Sequence, residues 1–261
     1  MQYHFCAKTD PGRARENNED SVVFDAATNT MILADGMGGY NAGEIASGMA
    51  TAFINSELSR WLAEAGDGAT GKEVRRAMEI CVGNANLSIY NAANSNSQYA
   101  GMGTTLVVGV FRGDSLLIGH IGDSRCYRVR NGVLEQITKD HSLLQEQIDA
   151  GLITLAQAAT SSIKNLVTRA LGVEGQVVLE VNEHIVQPGD LYLMCSDGLS
   201  DMVDDVAIAK ILIGDAELPQ VADELISAAN ANGGRDNISV LIASAVEVAE
   251  KRSLIARLLG K

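Results

Sequence analysis

Several extended runs of this chain are apolar at consecutive positions, which leaves few ways to fold it. LVVGVF (Leu106 to Phe111) and LYLMC (Leu191 to Cys195) carry apolar residues on both faces of a strand. Such strands must be covered on both sides, as when a sheet packs on a sheet with helices outside. Strand character covers residues 2–8, 20–25, 30–34, 104–111, 115–121, 125–130, 133–138, 177–186, 190–196 and 238–245. Asn131-Gly132, between CYRVR and VLEQIT, is a type I′ hairpin signal. Arg112-Gly113-Asp114 predicts a second tight connection.

Helical periodicity runs from Gly43 to about Ala65, with Ile45, Met49, Ala52, Phe53 and Leu62 on one stripe. It returns over 72–93, where Val74, Ala77, Met78, Cys81 and Ala85 share a face. Further helices are predicted over 204–213 and 218–230, the latter marked by Leu218, Val221, Leu225 and Ala228, with shorter ones over 142–150 and 154–160. Helices thus come in pairs between runs of strands and do not alternate with them one by one. The expected class is α+β with antiparallel sheets, not a parallel doubly wound sheet.

Length and charge narrow the function. A chain of 261 residues with no Ser/Gly linker and no fixed-period repeat reads as one domain, here 1–246. A short extension over 247–261 is expected to be helical. The net charge of -13 repels phosphate backbones, so nucleic acid is not an expected partner. Simple solubility accounts for such acidity equally well, but it also suits divalent cations. Cys6, Cys81, Cys126 and Cys195 form no CxxC pair and read as buried free thiols of a reducing compartment. MQYHFCAKTD lacks a signal-peptide core, and no apolar run reaches the roughly 20 residues of a membrane span. The expected location is cytoplasmic, with no membrane partner.

The carboxylates carry the chemistry. MILA runs into Asp35-Gly36, LYLMCS into Asp197-Gly198, and LLIGHIG into Asp123. Asp236 precedes the strand NISVLIA, and Asp20 follows Glu19 to open SVVF. Any one Asp-Gly at a strand end is most simply a turn. Five acids converging on one sheet edge would repel one another unless cations neutralised them. Oxygen-only ligands favour hard ions such as Mg²⁺ or Mn²⁺ over zinc. The glycines of Asp35-Gly36-Met37-Gly38-Gly39 would let a backbone carbonyl approach a ligand. GDGATGK (Gly66 to Lys72) imitates a phosphate-binding loop, but Glu73 stands where Ser or Thr should hold magnesium. It reads as a helix–helix connection.

RENNEDS, LADGMGG, GTT, IGDSR, DHS, TRALG, CSDGL and GGRDN occur in that order between Arg15 and Asn237. Together they resemble the bacterial PP2C-type (PPM) metal-dependent serine/threonine protein phosphatases. The resemblance implies a four-layer α-β-β-α sandwich, with two antiparallel sheets flanked by helix pairs. It implies two Mn²⁺ or Mg²⁺ ions per chain, and a third in bacterial relatives. Carried over by motif, Asp35 bridges both metals, the Gly36 carbonyl binds one, and Asp197 with Asp236 holds the other. Asp20 acts mainly through metal-associated water, with Glu19 beside it. Asp123 and Asp197 match the third-metal acids, and Arg15 matches the arginine that grips substrate phosphate. Asn237 is expected to orient the Asp236 loop, and His141 to be a hydrogen-bonded structural residue.

Two close divalent ions can lower the pKa of a shared water and stabilise charge on a phosphoryl group. Many eukaryotic members have a histidine, thought to be the general acid, where Met37 stands. Methionine cannot donate a proton. Residues 142–163 match the variable flap beside the site, with Leu143, Leu144, Ile148, Leu152 and Ile153 as packing faces. Gly151 and Thr160-Ser161-Ser162 would let it move. Implied partners are phosphorylated proteins and a cognate bacterial serine/threonine kinase. Two other readings stay open on the residues alone: a catalytically silent phosphoprotein-binding relative, and a calcium-stabilised β domain. Neither accounts for all five acids together with Arg15.

Overall fold

The computed structural model describes residues 1–39, 42–154, 157–158 and 166–247. Eleven strands lie among them: β1 (Gln2–Asp10), β2 (Asp20–Asp25), β3 (Thr30–Met37), β4 (Gly103–Thr104), β5 (Leu106–Arg112), β6 (Ser115–Ile121), β7 (Arg125–Arg130), β8 (Val133–Gln136), β9 (Glu180–Ile185), β10 (Leu191–Cys195) and β11 (Ile238–Val246). One sheet has the order β1-β11-β10-β7-β8 and the other β2-β3-β5-β6-β9, with β4 paired to the end of β3. The strand pairs are antiparallel throughout.

The expected sandwich is present. Met31, Leu33, Val107, Phe111, Ile118, Tyr192, Met194 and Leu241 fill the space between the sheets. Helices α1 (Ala42–Ala65) and α2 (Gly71–Ser95) cover the second sheet. The first sheet is covered by α4 (Asp197–Ser200), α5 (Asp205–Leu212) and α6 (Leu218–Ala231), while α3 (Leu143–Asp149) stands apart from these layers. Burial on both faces of β5 and β10 is what their unbroken apolar runs demand. Among the described residues, no helix is long and apolar enough to cross a membrane.

Local chemistry explains most element boundaries. Asn131 and Gly132 have φ of 52° and 73°, the left-handed pair a type I′ hairpin needs. Thr70 caps α2 through Glu73 N–H, and the Glu73 carboxylate accepts from Thr70 N–H at 2.8 Å. The glutamate that spoiled the phosphate-loop pattern is therefore half of a capping box.

Five expectations need correction. The buried stripe of α1 is Ala46, Ala50, Ile54, Leu58 and Leu62, while Ala52 is exposed and Ile45 largely so. Leu62 lies on that stripe as expected, Met49 and Phe53 pack at its margin, and the alanines at 46 and 50 bring the start of the helix close to the sheet. Strand 104–111 is split at Thr105, and β3 runs on to Met37 because Gly36 and Met37 pair with Thr104 and Gly103. Strand 133–138 ends at Gln136, beyond which the Thr138 hydroxyl accepts from Cys126 N–H at 2.9 Å in place of a ladder bond. Strand 177–186 begins only at Glu180. The helix expected over 154–160 and the extension over 247–261 fall mostly outside the described residues, as do Thr160, Ser161 and Ser162.

Candidate metal centre

Strand directions decide where the acids go. Asp20 opens β2 and sits opposite Asp35 of β3. Asp123 lies in the turn from β6 to β7, Asp197 follows the end of β10, and Asp236 precedes β11. Antiparallel pairing sends all five to one end of the sandwich. Residues from sequence positions 20 to 236 therefore share one crevice.

Their electrostatics record the crowding. Burial pushes the Asp35 carboxyl well up, and Asp20, Asp197, Asp123 and Asp236 push it further. Asp197 is also raised, by burial, then Asp123, Asp236, Asp201 and Asp20. Both residues keep some surface open at the crevice, yet protein atoms surround their carboxyls closely enough that desolvation is the larger cause. Burial pushes Asp20 up to about 6 despite hydrogen bonds from Ser239 and Ser196. Asp123 also reaches about 6, through burial and then Asp140. Glu19 is raised by burial, against the pull of Arg15.

The surrounding chain holds these acids in place. Ser196 Oγ donates to Asp20 Oδ2 at 2.8 Å and accepts from Ser239 N–H at 3.0 Å. Asp20 Oδ1 is buried without a hydrogen-bond partner. Thr105 Oγ1 accepts from Asp35 N–H at 3.1 Å and lies 2.7 Å from Ser124 Oγ. Asn237 Oδ1 accepts from Glu19 N–H at 2.8 Å, and its Nδ2 donates to Pro11 O and Asn17 O at 3.0 and 2.9 Å. These bonds stitch the Arg15 loop to the Asp236 loop. Arg15 Nη2 lies 2.7 Å from Asp236 Oδ2 at the half-exposed mouth.

Gly36 is glycine for a packing reason. A Cβ there would stand 2.2 Å from Gly43 O and 2.5 Å from Glu19 O, so α1 and the Glu19 loop close directly on the strand. Gly198 is similar, with Asn237 O 1.9 Å from a hypothetical Cβ. Arg125 does not pair with Asp123. It makes a two-pronged bond to Asp140, Nε to Oδ1 at 3.0 Å and Nη2 to Oδ2 at 2.7 Å. Reading the sequence alone missed Ser196, Thr105 and Asp140. All three lie inside the motifs, but nothing in a serine, a threonine or an aspartate says which partner it will face.

The donor set fits hard divalent cations. It is made only of oxygens, the acids are crowded enough to favour protonation without a cation, and one buried carboxylate oxygen lacks a partner.

Comparison with known proteins agrees. The sequence model of the protein phosphatase 2C family matches residues 12–239. The serine/threonine phosphatase stp of Listeria monocytogenes is 40% identical over 244 residues, covering 92% of this chain and 94% of that protein. PstP of Mycobacterium tuberculosis is 39% identical over 247 residues, 93% of this chain but 45% of that longer protein. A crystal structure of the M. tuberculosis phosphatase PstP/Ppp superposes with a TM-score of 0.86 at 37% identity, covering 95% of this chain and all of that one. The PstP catalytic domain in complex with two manganese ions gives a TM-score of 0.81 at 38% identity, over 94% and 99% of the two chains. On motif order, topology, crevice and likeness alike, this chain belongs to the protein phosphatase 2C family of bacterial serine/threonine phosphatases.

Proposed function

We propose that this chain hydrolyses phosphoserine and phosphothreonine esters in proteins with two Mn²⁺ or Mg²⁺ ions held in the acid crevice. The observation that carries the reading is the excess of buried, mutually repelling carboxylates at one end of the sandwich. Asp35, central among them, would hold both ions, with the Gly36 carbonyl as a further oxygen donor. Asp197 and Asp236 hold the second ion. Asp20 and Glu19 act at one remove, and Asp123 with Asp197 can take a third ion. Bound ions of this kind supply Lewis acidity and lower the pKa of water.

The chain's own groups do the rest. Arg15, at the mouth beside Asp236, turns its guanidinium to the substrate phosphate. Ser196 and Ser239 fix Asp20, and Asn237 fixes the loop bearing Asp236. Met37 offers no proton, so the leaving oxygen is protonated by another group. The 142–163 flap shapes access for phosphoproteins. A bacterial serine/threonine kinase is the proposed counterpart, and the cytoplasm the proposed compartment, consistent with four free cysteines. The proposed catalytic domain is 1–246, with 247–261 a helical extension.

Phosphate release from a phosphothreonine peptide should vanish with chelator and return with Mn²⁺. Release that persists in metal-free protein would overturn the reading. Tight phosphopeptide binding without release would favour a silent relative.

A further inference from the structure

We propose that His141 is a positioning residue: it holds the Gly122–Asp123 turn and joins that acid to the 142–168 segment. The inference rests on the phosphatase reading above and names a residue that reading leaves idle.

His141 is buried and grips Gly122 twice. Gly122 N–H donates to His141 Nδ1 at 3.2 Å, and His141 N–H donates to Gly122 O at 2.9 Å. Because Nδ1 accepts, the imidazole proton sits on Nε2, which lies 3.3 Å from Glu180 Oε2. Burial, then His120, lowers the His141 pKa and keeps the ring neutral, as an accepting Nδ1 requires. His120 stacks on it with ring centroids 4.6 Å apart, and the His120 Nε2 contact to Lys139 O at 2.7 Å locks that second ring.

Gly122 has little room to move. Its φ is 103°, and a Cβ there would lie 2.7 Å from Thr105, the residue whose hydroxyl receives Asp35 N–H. A shift of Gly122 therefore reaches Asp123 directly and Asp35 through one neighbour. The other side of His141 faces the flap. Thr168 N–H donates to His141 O at 2.8 Å, Ser142 bridges Val167, and Leu143 N–H donates to Leu166 O at 2.9 Å. One residue thus fastens both ends of the 142–168 segment with its backbone and the acid turn with its ring.

His120, His141 and Glu180 also have ligand atoms within 4.8 Å of one another, as a transition-metal site would. Two features oppose a shared ion. The rings lie only 15° from parallel, so their lone pairs run side by side and do not converge. His141 Nε2 already carries a proton, and moving it to Nδ1 would set it against Gly122 N–H.

The test compares His141→Leu, which keeps bulk but loses the acceptor, with His141→Asn, whose Oδ1 stands near the Nδ1 position. In metal-free protein, amide exchange at Gly122 should quicken roughly tenfold in the Leu variant and recover in the Asn variant. In calorimetric Mn²⁺ titrations the binding step that uses Asp123 should weaken about 10–100-fold in the Leu variant, with recovery in Asn. kcat should fall with KM for a small phosphate ester unchanged. Should His141→Leu fail to fold, Glu180→Ala removes the anchor of Nε2 and should speed Gly122 exchange in the same direction. Wild-type exchange and kcat in His141→Leu, or an Asn variant no better than Leu, overturns the proposal; so does unchanged exchange in Glu180→Ala when Leu cannot be made. Wild-type protein with no Mn²⁺-dependent turnover would instead sink the phosphatase reading, leaving the exchange and binding results to judge His141.

Discussion

Asp190 and Asp197 stand at opposite ends of β10 and meet opposite fates. Asp190 is 1% exposed, and burial alone would raise its pKa. Arg130 answers with Nε at 2.8 Å and Nη2 at 2.6 Å, while Tyr192 OH and Gln187 N–H add bonds at 3.1 and 2.8 Å. The net shift of Asp190 is downward. Asp197 is raised, because burial is joined by Asp123, Asp236, Asp201 and Asp20. At the Asp190 end the chain supplies Arg130 as counter-charge; at the Asp197 end further carboxylates gather and raise that acid. A stabilising carboxylate brings its cation within the fold; a metal-binding one must keep its place open, at a cost in stability.

The sharpest way to break this contrast is Asp35→Asn. Turnover should fall on the order of 10³-fold or more, the scale of losing a central charge-stabilising group. The metal-free protein should melt about 2–4 °C higher, since one repelling carboxylate is gone. A lower metal-free melting point would contradict the repulsion. Asp190→Ala should do the reverse. It leaves Arg130 without its partner and should cost about 3 kcal/mol in denaturant unfolding, with Mn²⁺ affinity near wild type.

A smaller effect separates the two ends by pH. Asp20 and Asp123 rise from 3.8 to about 6 in the folded, metal-free protein. A raised carboxyl means the folded state holds the proton more tightly, so its contribution is present below the unfolded pKa and lost as pH rises through the folded one. Metal-free stability should therefore decline between about pH 4 and 6. Asp190, lowered, contributes above its unfolded pKa, and that part is lost only as pH falls through the depressed value. Saturating Mn²⁺ should flatten the decline, because it holds the crevice acids deprotonated; calorimetric melting across that range, with and without Mn²⁺, reads both. The smallest expected effect is at the mouth. Arg15→Ala should raise KM for a phosphate ester roughly tenfold with little change in melting point. An unchanged KM would remove Arg15 from substrate binding.

Much of the fold was legible because it rests on local rules. The double-faced apolar strands, the Asn131-Gly132 turn and the α2 stripe each depend on a few neighbouring residues. The α1 stripe was only partly read: Leu62 is buried and Met49 and Phe53 pack against the core, but Ile45 and Ala52 face out while Ala46 and Ala50 face the sheet. Close approach of helix to sheet selected size there, and hydrophobicity did not report it. In the candidate site, motif order marked Asp20, Asp35, Asp123, Asp197 and Asp236, but not Asp201, which also raises Asp197. It did not mark Ser196 under Asp20, Thr105 under Asp35, or Asp140 as the partner of Arg125.

What this chain's sequence determines alone is which segments are strands and helices, and that acids stand where several strands begin or end. Backbone preference and side-chain periodicity act over a handful of residues, so they survive without the fold. Only the tertiary structure decides that Asp20, Asp35, Asp123, Asp197 and Asp236 share one crevice while Asp190 is neutralised by Arg130. Charge and desolvation depend on what lies within a few ångströms, and antiparallel packing sets those neighbours across more than two hundred residues of chain.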